Sequence, residues 1–236
     1  AKHIWFAAVL KSESNQSAGV PGYSIENSPV RSPLLEDCCL VISLSIITAM
    51  QPALFLDRDG VIIENRQDYI RSWSDVAIYP QALAALAKIK SSQHKIFIIT
   101  NQSVIGRGLI SQDAGREINE RLVKKIQFSG GRIDGVFMCP HAPQDNCNCR
   151  KPQPGLLLDA ASMHSVDLQN SILIGDALSD ILAGQKAGIP RNVLVLTGRG
   201  LIQSTLPLAS QIPDFLTFEN LFDALEDLFP DWFDIS

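Results

Sequence analysis

The sequence predicts an α/β fold, in which a Rossmann-like parallel sheet carries helices on both faces. Short runs of β-branched or aromatic residues end in a polar residue or a glycine, and longer helical stretches separate them. The runs are apolar throughout, which is typical of parallel strands that are buried on both faces and joined by right-handed helical crossovers. The predicted strands span residues 53–57, 95–100, 133–139, 171–176 and 192–197.

Helical patterns fill the intervals between these strands. The predicted helices span residues 81–91, 111–128, 154–164 and 179–187, and a short strand near 214–217 and a helix over 219–228 close the domain. Between Asp59 and the second predicted strand the chain offers mostly one loop, residues 64–79, and one helix. We therefore expect no large cap domain.

The first part of the chain differs from the rest. Residues 12–33 are rich in Ser, Asn, Gly and Pro, a composition that cannot bury enough apolar surface to fold alone. Met50 stands just before the first predicted strand. We expect residues 1–49 to be a disordered or misassigned extension, in which Cys38 and Cys39 are incidental, and residues 50–236 to form the folded domain. A regulatory or targeting tail is the alternative.

Composition limits the class of protein. With 46% hydrophobic and 19% charged residues, the 236-residue chain is globular rather than disordered. A net charge of -5 argues against a nucleic-acid partner, although one local pocket can still attract a small anion. The longest apolar run, residues 38–49, falls short of the roughly 20 residues that a membrane-spanning helix needs. We expect a cytoplasmic monomer with no nucleic-acid or membrane partner.

The first predicted strand ends in Asp57-Arg58-Asp59-Gly60. Two carboxylates separated by one residue can both bind one Mg²⁺, a hard cation that prefers oxygen ligands. Asp57 can then attack phosphorus in line, while Asp59 protonates the leaving oxygen and later activates water. An Asp-Gly pair is also a common turn dipeptide, and this motif alone favours that simpler interpretation.

Polar residues at three later positions add to this motif. Thr100 and Asn101 follow an apolar strand and can hold phosphoryl oxygens. Lys151 can offer a fixed charge to a transferring phosphoryl group. Asp176 ends another apolar strand and can complete a metal site, whereas we expect Asp180 to cap the next helix or orient its neighbours.

In their order and spacing, these residues resemble the four motifs of the haloacid dehalogenase superfamily, over nearly all of the chain from residue 53 onward. The resemblance implies an aspartyl-phosphate mechanism that requires Mg²⁺ and a small phosphorylated metabolite as substrate. It implies that Asp57 and Asp59 are catalytic and that Asp57, Asp59 and Asp176 bind Mg²⁺. The expected phosphate- and substrate-binding residues are Arg58, Thr100, Asn101, Gln102, Ser103, Arg107, Arg150 and Lys151.

A second metal site is predicted by a short cysteine cluster. Cys139-Pro-His141 and Cys147-Asn-Cys149 supply three thiols and one imidazole, which are the ligands that structural zinc takes in tetrahedral geometry. Four protein ligands leave no open position, so we expect a structural Zn²⁺ in a short loop. This loop leads directly to Lys151, and we expect it to position that lysine.

The same loop resembles the subgroup that contains heptose-bisphosphate and histidinol phosphatases. The residues after Thr100 and after Lys151 look closer to the heptose enzymes, whereas the five-residue gap inside the cysteine cluster resembles the histidinol enzymes. Val104 and Ala177 depart from the heptose pattern, where glycine and lysine are usual. Without a large cap, the loop over residues 64–79 can cover the site. Its candidates for substrate contact are Asn65, Arg66, Gln67, Asp68 and Tyr69, with Arg71 and Trp73 as weaker ones.

Three functions compete at this point. We expect a phosphatase that releases the 7-phosphate of a heptose 1,7-bisphosphate, because Arg107 and Arg150 offer cations for a second phosphate. A histidinol-phosphate phosphatase, or a phosphatase of another small metabolite, is the alternative. A non-enzymatic zinc-bearing interaction module is disfavoured, since every residue of the four motifs is present.

Overall fold

A computed structural model describes residues 50–233 of the chain. The expectations for residues 1–49, including Cys38 and Cys39, and for residues 234–236 lie outside the described residues. Within the described part no helix is both long enough and apolar enough to cross a membrane.

Six parallel strands form one sheet in the order β3-β2-β1-β4-β5-β6. The strands are β1 (Gln51–Leu56), β2 (Lys95–Asn101), β3 (Gly135–Cys139), β4 (Val166–Gly175), β5 (Arg191–Val195) and β6 (Phe215–Phe218). From β1, the chain first adds β2 and β3 on one side and then returns to add β4, β5 and β6 on the other, so the topology switches between β1 and β4. In open parallel sheets a ligand binds at such a switch point, beyond the carboxyl ends of the strands.

Helices join the strands. They are α1 (Pro80–Lys88), α2 (Ser103–Gly106), α3 (Gln112–Phe128), α4 (Gly155–His164), α5 (Leu178–Lys186), α6 (Gly200–Ser204) and α7 (Leu221–Leu228). Helices α3 and α7 begin at side-chain caps that accept from the amide donors of the first turn: Ser111 accepts from the backbone of Ala114, and Asn220 accepts from Phe222 and Asp223.

The sheet is covered on both faces, as predicted. Alternate residues of β1 point to opposite sides, so that Leu54 and Leu56 pack in one core cluster with residues of α1, α3 and α7. Ala53 and Phe55 pack in the second cluster with residues of α4 and α5. These four side chains are fully buried, which explains why this part of the strand is a continuous apolar run in the sequence.

The predicted elements agree with the structure apart from their ends and two short helices. β4 begins at Val166, five positions before the prediction, and β3 begins at Gly135, two positions after it. Helices α2 and α6 were not predicted, because one turn of helix carries no detectable period. Between Asp59 and β2 the described chain contains α1 and short 3-10 turns, so the expectation of no large cap is confirmed.

Candidate active site

The carboxyl ends of β1 and β4 bring the predicted aspartates together. Asp57 follows β1 and donates its backbone N–H to Ile174 in β4, 2.9 Å away. Carboxylate oxygens of Asp57, Asp176 and Asp180 lie within 4.8 Å of one another. All three side chains are buried, with exposed fractions of 4%, 0% and 1%. This acidic cluster, defined as these three residues, therefore lies at the switch point of the sheet.

Two glycines make room for the acidic cluster. Gly60 has a φ of 89° and Gly198 a φ of 59°, a region that favours glycine. A Cβ atom on either residue would collide with the Asp176 carboxylate. The two loops are also tied directly, because the Thr197 hydroxyl donates to the Gly60 carbonyl at 2.6 Å. The turn interpretation of Asp59-Gly60 is thus correct locally, and the turn forms one wall of the site.

Lys151 places a buried cation against the acidic cluster. Its Nζ lies 2.6 Å from Asp57 Oδ1 and 2.7 Å from Asp180 Oδ1, and it donates to the Ile99 carbonyl at 2.9 Å. Burial alone would lower the pKa of this lysine, but the Asp180 and Asp57 carboxylates raise it above its ordinary value. Lys151 is therefore a fixed positive charge beside Asp57.

The acidic cluster is short of positive charge. Burial raises the pKa of Asp57 to about 6, an effect that Lys151 opposes and that Asp180 and Asp59 reinforce. Burial also raises the pKa of Asp176, although the Arg199 guanidinium opposes this shift. Buried carboxylates are stabilised as anions by a nearby cation, and oxygen ligands suit a hard divalent ion. The donor set thus fits Mg²⁺.

Asp59 faces a different set of partners. Its carboxylate accepts from Gln102 Nε2 at 2.9 Å and from Arg58 at 3.0 and 3.1 Å, and the Thr100 hydroxyl lies 3.4 Å away. Its side chain is 21% exposed, so a substrate can reach it. The Asp59 carboxylate is not among the oxygens of the acidic cluster, and its predicted bond to Mg²⁺ stays a prediction.

Arg58 lies beneath the site rather than at its rim. Its side chain is 1% exposed, and its guanidinium donates to Asp59 and, at 2.7 Å, to Asn119 Oδ1 in α3. These contacts hold the Asp59 carboxylate in place. A direct contact between Arg58 and the substrate stays a prediction.

The second motif links the acidic cluster to the cysteine loop. Asn101 Nδ2 donates to the Lys151 carbonyl, and Asn101 Oδ1 accepts the Lys151 backbone N–H, both at 3.1 Å. The Gln102 backbone donates to the Cys139 carbonyl at 2.7 Å. Ser103 then begins α2, in which Val104 is buried, so valine at this position is compatible with the loop backbone.

The two arginines predicted to hold a second phosphate differ in their exposure. Arg107 is exposed at the end of α2. Arg150 is half-buried, and its guanidinium donates to the His141 carbonyl at 3.3 Å. The exposed stretch 64–69 contains all five loop candidates. Trp73 instead packs against the core, with the Arg121 guanidinium 5.1 Å from its ring centroid.

The cysteine loop gathers four ligand atoms into one group. The three pairs of sulfur atoms among Cys139, Cys147 and Cys149 lie 3.2 to 3.6 Å apart, too far for a disulfide. His141 Nδ1 lies 3.6 Å from Cys139 Sγ and 3.2 Å from Cys149 Sγ. Ligands of a tetrahedral zinc site are separated by about 3.8 Å, since each Zn–S bond is about 2.3 Å long. These residues therefore fit Zn²⁺ after a small expansion.

The chain is similar to known proteins. A family model described as HAD-hydrolase-like matches residues 148–224. A D-glycero-β-D-manno-heptose-1,7-bisphosphate 7-phosphatase from Bordetella bronchiseptica is 35% identical over 162 residues, which are 67% of this chain and 90% of that protein. The chain belongs to the haloacid dehalogenase-like phosphatases.

A further relative and a solved structure support that assignment. The enzyme of the same β-heptose name from Helicobacter pylori strain 26695 is 39% identical over 61% of this chain and 83% of that protein. A crystal structure of D,D-heptose 1,7-bisphosphate phosphatase from B. bronchiseptica, complexed with magnesium and phosphate, has a TM-score of 0.70 and 33% identity, covering 77% of this chain and 99% of that one. Phosphatases of this family use Mg²⁺ and an aspartyl-phosphate intermediate.

Sequence reasoning missed two residues that the structure brings to the phosphatase site. Asn119 is a buried polar residue on α3, among the apolar positions of that helix, and this mismatch is a signal that could have revealed it. Arg199 follows β5, and its guanidinium contacts Asp176 at 2.8 Å. A lone arginine in a glycine-containing loop carries no signal of its own.

Asp180 caps helix α5 and orients Lys151. Its Oδ2 accepts the Ala177 backbone N–H at 3.1 Å, while its Oδ1 pairs with Lys151. We expect Asp180→Asn to keep the cap, since an amide oxygen can accept that bond, but to release the lysine. Phosphate release should fall about 10- to 100-fold, with a smaller change in Tm. Steady-state kinetics and thermal unfolding test this, and a loss of Tm that matches the loss of activity would contradict it.

Proposed function

We propose that this phosphatase hydrolyses D-glycero-D-manno-heptose 1,7-bisphosphate and releases its 7-phosphate. The single observation that carries the proposal is the substrate named for relatives of which the chain covers most of the length. The site supports the chemistry, because a buried carboxylate stands beside a fixed lysine at the open end of the sheet. Some relatives are named for the β anomer of this substrate and others for the α anomer, so both anomers are candidate substrates.

In the proposed first step, Asp57 is the nucleophile. A lone pair of its carboxylate forms the bond to phosphorus, and the bond from phosphorus to the sugar oxygen breaks. Lys151, 2.6 Å from Asp57, offsets the charge of the transferring phosphoryl group. Asp59 gives its proton to the leaving oxygen, and the Gln102 and Arg58 contacts hold Asp59 in position.

In the proposed second step, water removes the phosphoryl group from Asp57. Asp59, now a carboxylate, takes a proton from the water as its oxygen attacks phosphorus. The bond between phosphorus and the Asp57 oxygen breaks, so that inorganic phosphate leaves and the Asp57 carboxylate returns. The residues that would hold Mg²⁺ are Asp57, Asp59 and Asp176, and the ion would supply charge neutralisation for the carboxylates and the phosphoryl oxygens.

We propose that Zn²⁺ binds Cys139, His141, Cys147 and Cys149 and has a structural role. Two contacts connect these ligands to the phosphate site: the Cys139 carbonyl accepts from Gln102, and the His141 carbonyl accepts from Arg150. Fixing the loop would thus help to fix Gln102, which donates to Asp59, and Arg150, which directly precedes Lys151.

The second phosphate of the substrate distinguishes the proposed function from its alternative. Arg107 and Arg150 supply guanidinium groups near the second motif and the cysteine loop, and a guanidinium can hold a phosphate through two hydrogen bonds. Histidinol phosphate brings a cationic amine instead, and the exposed carboxylates of Glu64 and Asp68 would be the groups to meet it. The exposed loop therefore offers charges for either substrate.

We expect both anomers of the heptose bisphosphate to have a higher kcat/KM than histidinol phosphate in assays with Mg²⁺. Arg107→Ala and Arg150→Ala should each lower kcat/KM for the bisphosphate by about 10-fold, mainly through KM, because the arginines contact the group that does not react. Arg191→Ala, at the exposed start of β5 and away from the carboxyl ends of the strands, is the matched control. A higher efficiency on histidinol phosphate, or the absence of an arginine effect, would reverse the assignment.

A further inference from the structure

Arg199 occupies both oxygens of the Asp176 carboxylate. Its Nε and its backbone N–H donate to Oδ2 at 3.2 and 2.9 Å, and its Nη2 donates to Oδ1 at 2.8 Å. Asp176 is fully buried, whereas the Arg199 side chain is 50% exposed. An exposed cation therefore covers a buried carboxylate that the proposed function assigns to the metal.

We infer that Arg199 is a displaceable cation, which pairs with Asp176 in the metal-free enzyme and competes with Mg²⁺ for that carboxylate. The inference rests on the proposed function, because that function makes Asp176 a metal ligand. A planar guanidinium fork matches a carboxylate through two bonds, so it occupies the oxygens that an incoming ion would need.

The two cations around the acidic cluster differ in how firmly they are held. Lys151 is 3% exposed and pairs with Asp57 and Asp180, so it stays beside the nucleophile. Arg199 is half exposed, so its guanidinium can regain water when it leaves Asp176, which makes its release far less costly. Arg199 is therefore the cation of this pair that an incoming metal would displace.

The loop that carries Arg199 does not depend on the guanidinium. The Arg199 backbone N–H holds Asp176 Oδ2, and Thr197 in the same loop donates to the Gly60 carbonyl at 2.6 Å. Neither bond uses the Arg199 side chain. A substitution at this position should thus leave Asp176 in place and change only the charge that faces it.

Removal of the side chain should have two opposite effects. Without metal, Asp176 loses its counter-charge and remains buried, which destabilises the folded state. With metal, the ion no longer has to displace a cation, so its affinity rises. A residue that merely braced the loop would weaken metal binding when it was replaced, so the direction of the change separates the two roles.

The experiment is a calorimetric titration of MgCl₂ into protein that has been dialysed free of Mg²⁺ without a chelator. We expect Arg199→Gln to bind Mg²⁺ on the order of fivefold more tightly than the natural protein. Its Tm should be lower than that of the natural protein without Mg²⁺ and should rise more when Mg²⁺ is added. The Mg²⁺ affinity of Arg199→Lys should fall between that of Arg199→Gln and that of the natural protein. Arg191→Gln, at the opposite end of β5, removes the same charge away from the site and should leave the Mg²⁺ affinity unchanged.

Asp176→Asn separates the two ways in which this inference can fail. Loss of Mg²⁺ binding in Asp176→Asn, together with unchanged or weaker binding in Arg199→Gln, would refute the competition and leave the proposed metal site standing. Full Mg²⁺ affinity in Asp176→Asn would refute both the competition and the proposed metal site, since Asp176 would then not be a ligand.

Discussion

Asp57→Asn should abolish phosphate release. An amide oxygen is a poor nucleophile, so the step that forms the bond to phosphorus is lost, and the rate should fall on the order of 10⁴-fold or more. The fold should persist, because asparagine has the same shape and Lys151 keeps its contacts with Asp180 and the Ile99 carbonyl. We expect the change in Tm to be small.

Steady-state phosphate release with Mg²⁺ measures this effect, with Tm and zinc content recorded for the same preparation. Asp231→Asn is the matched control. Asp231 is exposed and lies beyond α7, so this variant should keep the activity of the unsubstituted protein. If Asp57→Asn kept activity within about tenfold of the natural rate, the assignment of the nucleophile would be wrong.

Cys149→Ser should remove zinc and lower stability and activity together. Cys149 is 5% exposed, and its sulfur lies 3.2 Å from both Cys139 Sγ and His141 Nδ1. Structural zinc contributes on the order of 10 kcal/mol in small peptides, and less in a domain that has its own core. We expect the free energy of unfolding to fall by about 3 kcal/mol or more. Activity should fall because Lys151 lies two residues from the lost ligand.

Metal analysis of freshly purified protein, denaturant unfolding and phosphate release measure these three effects. Asn148 is exposed and lies between two of the ligands, so Asn148→Ser should leave zinc content, stability and activity unchanged. Freshly purified natural protein without zinc, or a Cys149→Ser protein with natural stability, would contradict a structural zinc.

The residues at the strand ends could be predicted, because a motif that follows a strand in a parallel sheet lies near the motifs that follow the neighbouring strands. Each of Asp57, Thr100 and Asp176 follows an apolar run, and the carboxyl ends of parallel strands meet at one edge of the sheet. The cysteine loop was equally predictable, since all four candidate ligands lie within eleven consecutive residues, 139–149. In both cases sequence order determines which side chains meet.

Contacts set by packing between distant segments could not be predicted. The Arg58 guanidinium donates to Asn119 Oδ1, on a residue 61 positions away in α3. Arg199 meets Asp176 across 23 positions, through the loop after β5. Neither pairing follows from a motif, because each depends on how a helix or a loop lies over the sheet.

The most direct test of Asp57 as the nucleophile is to trap the phosphoryl group that it would carry. Enzyme, Mg²⁺ and heptose 1,7-bisphosphate would be mixed and quenched in acid within the first turnovers, and the peptide that contains Asp57 would be analysed by mass spectrometry. We predict a phosphoryl group on Asp57 that disappears when the quench is delayed beyond substrate exhaustion and that is absent from Asp57→Asn. Turnover of the substrate with the phosphoryl group on another residue, or with undiminished rate in Asp57→Asn, would contradict the mechanism.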